Sequence, residues 1–227
     1  MHSLVKDLMT AHVVTVGPAT PFKEIVARLA QHRVSALPVV DDAGRVLGVV
    51  SEADLLLKEE FPDPDADLPL FWTRRRRLER DKAAGSTARD LMSVALVSIS
   101  PEATVAEAAR RMHTANVKRL PVIGEGGRLV GIVSRGDLLK VFNRPDHVIR
   151  REIMDDIIVG EFMMAPDRFF IHVDDGVVVL QGRVERHSLL PYLFRAVHAV
   201  EGVVRVEDRL AYDIDDVEPL LRAMAYL

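Results

Sequence analysis

One segment occurs twice in this chain, at a constant offset of 83 residues. The first copy begins KDLMTAHVVTVGP at Lys6, and the second begins RDLMSVALVSISP at Arg89. Further on, LPVVDDAGRVLGVVSEADLL from Leu37 returns as LPVIGEGGRLVGIVSRGDLL from Leu120, and 19 of the 51 aligned positions are identical. Chance does not keep one register over such a length. The chain therefore contains a duplicated supersecondary unit, and we expect that neither copy buries its sheet alone.

Each copy predicts a strand, a helix, two strands and a second helix, with a short helix ahead of them. The β-branched runs at 13–16 and 96–99 predict the first strand. The first long helix has apolar residues at helical spacing: Phe22, Ile25, Val26 and Leu29 in copy one, and Val105, Ala108, Ala109 and Met112 in copy two. Two apolar runs joined by turn residues follow. The second helix then begins at Ser51 or Ser134.

The second helix opens with Ser-x-x-Asp in both copies, as Ser51 and Asp54 and again as Ser134 and Asp137. One interpretation is structural, because a serine and an acidic residue in the first turn cap a helix. The other uses the same physics for a ligand. Free N–H groups and a hydroxyl at a helix start bind phosphate, and a carboxylate one turn on can accept the hydroxyls of a ribose.

The two copies differ in the charge beside this motif. The second copy has three cations where the first has none: Lys118, Arg119 and Arg135 correspond to Ser35, Ala36 and Glu52. Cations strengthen hydrogen bonds to a phosphate and offset its charge. The second copy is therefore expected to suit a phosphorylated ligand, and the first a less charged ligand or none. The alternative is that all these residues are solvated surface positions.

The DLM opening, the LPVV word and G-[VI]-V-S-x-x-D, each present twice in one register, resemble the cystathionine-β-synthase (CBS) domain. The pair resembles the tandem arrangement called a Bateman module, over roughly residues 3–57 and 88–142. This resemblance implies an α+β fold of two β-α-β-β-α repeats and a non-catalytic regulatory role. The implied ligand is adenosyl (AMP, ADP, ATP, S-adenosylmethionine or NAD), and the implied assembly is a homodimer that passes its ligand state to an unknown protein partner.

The resemblance also implies site residues, with the aspartate on the ribose, the serine on the phosphate and adenine in an apolar slot. For the second repeat these are Ser134, Asp137, Lys118, Arg119 and Arg135, with Leu96, Val97, Leu120 and Val122 as walls. For the first repeat, which we expect to bind less well, they are Ser51, Asp54, Val13, Val14, Leu37 and Val39.

The sequence gives little support for catalysis, metal binding, membrane insertion or nucleic-acid binding. The chain has no cysteine, and its 8 histidines form no metal-binding pair, so we expect no catalytic residues, no metal and no required cofactor. No apolar run is long enough to span a bilayer, and Lys6 and Asp7 interrupt any signal peptide core, so we expect a cytoplasmic protein. The formal net charge of −4 gives no basic domain, and no nucleic-acid partner is expected.

The segment between the copies is acidic and rich in proline and then becomes basic. FWTRRRRLERDKAAG predicts a helix that carries the single tryptophan, Trp72, and the arginine run 74–77. One interpretation is a solvated helix whose Phe71, Trp72 and Leu78 pack on the module. The other is a helix that binds an anion or a second subunit.

The last third predicts the order α-β-β-α-β. Its GVVVLxGxV from Gly176 and VEGVxxVxDxL from Val200 resemble the BON domain of bacterial proteins, which implies binding to phospholipid or another ligand. From Pro145 onward the chain has 9 arginines, no lysine and 16 acidic residues, a net charge of −7 that opposes anionic lipid. A local patch (Arg183, Arg186, Arg195) leaves membrane association open.

The predicted domains are CBS repeat 1 (1–57), an insert with the basic helix (58–87), CBS repeat 2 (88–144), the BON domain (145–213) and a tail (214–227) whose apolar stripe suits a partner. The alternative function is a scaffold, in which the CBS pair is only a dimerisation platform and the BON domain binds lipid or another partner.

Overall fold

The computed structural model describes residues 3–61, 73–94 and 96–217. The chain forms two compact units, one of residues 4–137 and one of residues 138–217 with Ser3. No helix in the described ranges is both long enough and apolar enough to cross a membrane. Phe71, Trp72 and the apolar stripe predicted for the tail (Leu220, Leu221, Met224, Tyr226, Leu227) lie outside the described residues.

The first unit contains both repeats and the insert helix. Its helices are α1 (Val5–Leu8), α2 (Phe22–His32), α3 (Glu52–Glu60), α4 (Arg74–Ala84), α5 (Ala88–Leu91) and α6 (Val105–Thr114), and α7 (Arg135–Leu139) begins at its end. Its strands are β1 (Ala36–Val40), β2 (Val46–Ser51), β3 (Arg119–Ile123) and β4 (Leu129–Ser134). The pairs β1–β2 and β3–β4 are antiparallel hairpins, each with a register shift near the end of its first strand.

The predicted strands at 13–16 and 96–99 were wrong in extent. Only Val16 and Ile99 pair with the neighbouring strand, each through one parallel bridge. The N–H of Val16 donates to the carbonyl of Pro38 at 3.1 Å, and that of Val40 donates to Val16 at 2.9 Å. The next donors on either side would be Pro18 and Pro38, which have no N–H, so the ladder stops. The same holds at Pro101 and Pro121 in the second copy.

The apolar stripes predicted for α2 and α6 are correct in their central residues. Ile25, Leu29, Ala108 and Met112 are buried. Val26 is 43% exposed and Ala109 is also exposed, so the buried face is narrower than the sequence pattern predicts. Leu78 of α4 is 56% exposed, and its predicted packing on the module was therefore wrong.

The short helices α1 and α5 are exchanged between the repeats. Thr10, just after α1, exchanges two backbone hydrogen bonds with Ile132 of β4, at 2.9 and 3.0 Å. Ser93, just after α5, does the same with Val49 of β2, at 2.8 and 3.2 Å. Each repeat therefore lays its DLM segment on the hairpin of the other repeat.

This exchange explains two of the repeated sequence words. A Cβ built on Gly131 would lie 2.3 Å from the Sδ of Met9, and one on Gly48 would lie 2.8 Å from the Sδ of Met92. The methionine of each DLM thus occupies space left by the glycine in the G-[VI]-V-S word of the other repeat. The glycines serve a close approach rather than a turn.

The core of the first repeat is completed by the second. Its buried apolar residues are Val16, Ile25, Leu29, Leu37, Val39, Val50, Leu55, Ala88 and Leu91. Ala88 and Leu91 belong to α5, and both are fully buried. Because α5 lies beyond the insert in sequence, the first repeat lacks part of its own core.

We expect Gly48→Ala to destabilise the unit more than Gly131→Ala. The new Cβ at position 48 would lie 2.8 Å from the backbone oxygen of Ser93, which is held in its bridge to Val49. At position 131 only the flexible side chain of Met9 is in the way. Overpacking costs roughly 1–3 kcal/mol in a well-packed site. Urea unfolding of both variants checks the order, and an equal loss would contradict the packing argument.

Helix α5 is capped by its own aspartate. The Thr87 hydroxyl donates to Asp90 Oδ2 at 2.8 Å, and the N–H groups of Thr87 and Ser86 donate to the same oxygen at 3.0 and 3.2 Å. The Thr87 hydroxyl and then these two N–H groups hold the pKa of Asp90 below its ordinary value of 3.8.

A lowered carboxyl pKa predicts acid sensitivity. The capping contribution of Asp90 is present above the unfolded-state pKa, near 3.8, and is lost as the pH falls through the folded-state pKa. We therefore expect Asp90→Asn to reduce the stability of the unit above pH 5 and to flatten the acid limb of its stability profile. Denaturant unfolding between pH 2.5 and pH 7 measures both. An acid limb as steep as that of the unmodified chain would show that Asp90 is not one of its sources.

The second unit contains a three-stranded sheet and two helical segments. Helix α8 (Asp146–Glu152) continues as a π-helix (Ile153–Glu161), and α9 (Leu190–His198) follows a 3₁₀ turn (His187–Leu189). The strands are β5 (Phe169–Asp174), β6 (Val177–Arg186) and β7 (Arg205–Ile214), in the order β5-β6-β7. The β5–β6 pair is antiparallel and the β6–β7 pair is parallel.

The element order of this unit is the predicted α-β-β-α-β. Asp175 and Gly176 both have positive φ in the hairpin turn, as a two-residue turn of this type requires. The core contains Ile149, Ile153, Ile171, Leu180 and Leu193, among others. Two large apolar side chains of this unit are exposed: Tyr192 at 62% and Val204 at 61%.

Candidate functional site

The Ser-x-x-Asp motifs have the same cap geometry in both repeats. The hydroxyl of Ser134 donates to Asp137 Oδ2 at 2.7 Å, and the Ser134 N–H donates to the same oxygen at 2.9 Å. Ser51 and Asp54 repeat these bonds at 2.7 and 2.9 Å. The structural interpretation therefore holds for both motifs, and any ligand role is additional to it.

A cavity of about 210 Å³ lies beside the second motif. Its lining residues come from both repeats: Thr10, His12, Val13, Val14, Arg33, Val34 and Ala36 from the first, and Arg119, Ile132, Ser134 and Asp137 from the second. One wall is apolar, and the other carries the carboxylate and hydroxyl of the cap. The cavity belongs to the pair rather than to either repeat.

The exchange of the DLM segments creates this composite site. The backbone bonds between Thr10 and Ile132 fix the start of the irregular segment 10–14 against β4. Since β4 leads directly into α7, the valines at 13 and 14 share the cavity with Ser134 and Asp137. The proline-limited ladder leaves these valines outside a regular strand, where their half-buried side chains line the cavity.

Two arginines bring positive charge to the cavity. Arg33 ends α2 in the left-handed conformation, with φ 53°, and lines the cavity wall. Arg119 donates from Nη2 to the hydroxyl of Ser35 at 2.7 Å, a bond between the two repeats. With Asp137 on the same lining, the site offers both an acceptor for hydroxyl groups and donors for an anion.

The structure brings together only part of the set predicted for the second repeat. Ser134, Asp137 and Arg119 line the cavity. Lys118 and Arg135 are exposed and do not line it, and the Nε of Arg135 donates to the carbonyl of Val117 at 3.2 Å.

The apolar walls differ from the expectation. Leu120 and Val122 are completely buried, because alternate residues of β3 face the core. Leu96 and Val97 are partly buried and do not line the cavity of Asp137. The valines at 13 and 14, predicted for the first-repeat site, line it instead.

The residues predicted for the first repeat also fail to form one site. Leu37 and Val39 are completely buried in the core of the repeat. Ser51 and Asp54 form their cap, and the ammonium of Lys82 lies 2.6 Å from Asp54 Oδ1. Lys82 belongs to the insert helix α4, to which the sequence analysis assigned no such role.

Six lining residues are not predicted from the sequence: Thr10, His12, Arg33, Val34, Ala36 and Ile132. The available signal was the repeat itself. Each copy contains a DLM segment and a strand with the G-[VI]-V-S word. The sequence alone leaves open whether the two pack within one copy or between copies. Only the second arrangement combines the first valine run with the second Ser-x-x-Asp.

The described residues contain no group of three or more histidine, aspartate or glutamate side chains placed to hold a metal ion. The lining of the cavity offers hydrogen-bonding groups, positive and negative charge, and apolar side chains. Such a set of groups fits a ligand with a flat apolar part, neighbouring hydroxyls and an anionic end.

Comparison with known proteins identifies the family of both repeats. Residues 5–59 and 88–144 match the CBS domain family. A CBS domain-containing protein of Dictyostelium discoideum is 32% identical over 139 residues, which are 61% of this chain and 90% of that protein. YhcV, a CBS domain-containing protein of Bacillus subtilis, is 32% identical over 136 residues, 60% of this chain and 83% of its own length.

A solved structure has the same fold. The crystal structure of CBSX2 of Arabidopsis thaliana, in complex with AMP, aligns with a TM-score of 0.53 and 29% identity. It covers 60% of this chain and 94% of that one. CBS pairs are in general regulatory modules that bind ligands rather than catalysts. The chain therefore belongs to the CBS domain family and carries a tandem CBS pair.

Proposed function

We propose that this protein is a non-catalytic sensor that binds one adenosyl ligand in the cavity of Asp137. The observation that carries the proposal is that Ser134 and Asp137 meet the apolar side chains of Val13, Val14 and Ala36 in one cavity. The AMP complex of CBSX2, at 29% identity, supports adenosine as the ligand class.

Each part of such a ligand has a counterpart in the lining. Adenine lies against the apolar wall of Val13 and Val14, and the ribose hydroxyls donate to Asp137. Arg33 and Arg119 face the phosphate, and Ser134 with the first-turn N–H groups of α7 completes its binding. A volume of about 210 Å³ is below the roughly 300–1,000 Å³ of ordinary ligand sites, so part of the ligand extends out of the cavity.

Calorimetry on the full chain tests this proposal. AMP, ADP, ATP, S-adenosylmethionine and NAD are titrated separately under the same conditions. We expect a phosphorylated adenosine to bind with a Kd below about 1 mM, which corresponds to roughly −4.1 kcal/mol. If none of the five binds in that range, the sensor proposal fails and the scaffold alternative takes its place.

We propose further that the CBS pair forms a homodimer, which both functions require. Val26 and Val94 of the first unit are 43% and 68% exposed, and a partner subunit would cover such apolar side chains. Light scattering at micromolar concentration should give twice the chain mass of 25.3 kDa. A mass of one chain would remove the dimer from the account.

For the last third we keep the proposed boundaries, with a BON domain over 145–213, and propose that it transmits the ligand state to a protein partner. The observed α-β-β-α-β order supports the assignment. The proposed lipid-binding patch is weakened, because Arg183 pairs with Asp213 at 3.1 Å and Arg186 lies 3.7 Å from Glu185. We therefore expect no sedimentation with phosphatidylserine vesicles, and binding would favour the scaffold alternative.

A further inference from the structure

The insert helix α4 places a lysine at the counterpart of the candidate cavity in the first repeat. Residues 83 positions apart correspond, so Asp54 is the counterpart of Asp137 and Ser93 is the counterpart of Thr10. The Lys82 ammonium lies 2.6 Å from Asp54 Oδ1 and donates to the hydroxyl of Ser93 at 2.8 Å. One side chain of the insert thus bridges two positions that line the cavity in the other half of the pair.

The contact is well shielded for an ion pair. The side chains of Lys82 and Asp54 are 21% and 14% exposed. The Ser93 hydroxyl also lies 3.3 Å from Asp54 Oδ1, so the ammonium, the hydroxyl and the carboxylate are all within hydrogen-bonding distance of one another. A ribose would need the same carboxylate, and therefore it must displace the lysine.

The insert holds the lysine there through polar contacts to α3. Lys58 donates to the carbonyls of Ala83 and Gly85 at 2.7 and 2.9 Å, at the end of α4 next to Lys82. Near the start of α4, Arg76 pairs with Glu60, and its guanidinium lies 4.9 Å from the centre of the Phe61 ring. The insert is therefore docked on the first repeat at both ends.

One of the two cavity arginines has no basic counterpart in this region. Position 116 is asparagine where Arg33 stands in the first repeat. Lys82 is the cation placed on this carboxylate, and it is already paired with it. Because Arg33 has no basic counterpart here and Lys82 is already paired, an uncharged nucleoside is the appropriate probe for this region.

We propose that Lys82 acts as an internal occupant that closes the Asp54 region to nucleosides, so that the CBS pair has one open site and one closed site. The proposal rests on the proposed function for the idea that the aspartate binds ribose. Its test does not depend on the Asp137 site, because the same Asp137→Ala substitution weakens that site in both proteins compared.

The experiment is an adenosine titration by calorimetry of two full-length variants, Asp137→Ala and Asp137→Ala/Lys82→Met. We expect the first to bind no adenosine up to about 1 mM and the second to bind one equivalent per chain. Lys82→Met removes the charge and keeps an unbranched side chain, and Lys82→Ala replaces it if the methionine variant is unstable. A further control, Lys23→Met in the Asp137→Ala background, changes an exposed lysine of α2 and should bind none.

Two results would overturn the proposal. If neither variant binds adenosine, the Asp54 region is not a site, whether or not the unmodified chain binds AMP. If both variants bind equally, Lys82 closes nothing. Adenosine binding by the double variant alone supports the proposal, even if the unmodified chain binds no AMP. The AMP titration of the unmodified chain tests the proposed function, so the two proposals can fail independently.

Discussion

A fragment of residues 1–57, the first repeat as bounded from the sequence, should fail to fold as a monomer. Its core would lack Ala88 and Leu91, which come from α5, and its own α1 would lack the β4 surface of the second repeat. Circular dichroism and light scattering of the fragment give the result. A monomeric fragment that unfolds cooperatively would contradict the exchanged architecture.

A point substitution tests the same claim in the intact chain. Leu91→Ala removes a fully buried side chain, a change that costs about 2–5 kcal/mol. Leu56, in the first repeat, is 64% exposed, and Leu56→Ala should therefore change the stability by less than about 0.5 kcal/mol. Denaturant unfolding of both variants should thus give a larger loss for the leucine of the second repeat.

Asp137→Ala should weaken AMP binding by about tenfold to a hundredfold. The aspartate is the charged acceptor proposed for the ribose, and hydrogen bonds to charged groups contribute roughly 1.5–3 kcal/mol, where each 1.4 kcal/mol is a factor of ten. Asp54→Ala should change AMP affinity little, because the region of Asp54 is occupied by Lys82 and is not part of the cavity. Calorimetry with AMP on both variants measures the difference.

Stability measured on the same two variants separates the ligand interpretation from the capping interpretation, with the difference that Asp54 also pairs with Lys82. Both make the same pair of cap bonds to a serine, and losing a cap costs about 0.5–2 kcal/mol. Both variants should therefore have a lower melting temperature, while only Asp137→Ala loses affinity. Unchanged AMP affinity in both would show that these residues only cap helices, and an equal loss in both would show that the binding site was chosen wrongly.

Much of the fold is predictable from the repeat. The 83-residue offset, the helical stripes and the Ser-x-x-Asp starts give the hairpins and the helices that flank them. The first strands were overestimated because β-branched residues were counted without the prolines beside them and on the facing strand. Those prolines were visible in the sequence, and their missing N–H groups limit each ladder to one bridge.

The site was less predictable, because the chain is a duplication and its repeated motifs can pack in more than one way. Each copy carries one DLM segment and one G-[VI]-V-S strand, so each DLM segment can pack on the strand of its own copy or on that of the other copy. The outcome depends on which hairpin receives Met9 and which receives Met92. That choice is a matter of packing between distant segments. The role of Lys82 is of the same kind, because nothing in the local sequence RDKAAG shows that its ammonium meets Asp54.

We expect residues of both repeats to form the AMP site. A crystal structure of the full chain grown with AMP would show this. We expect adenine to lie against Val13 and Val14 of the first repeat, with the ribose hydroxyls on Asp137 of the second. AMP bound with its adenine between Leu96 and Val97, or bound away from Asp137 altogether, would contradict this expectation.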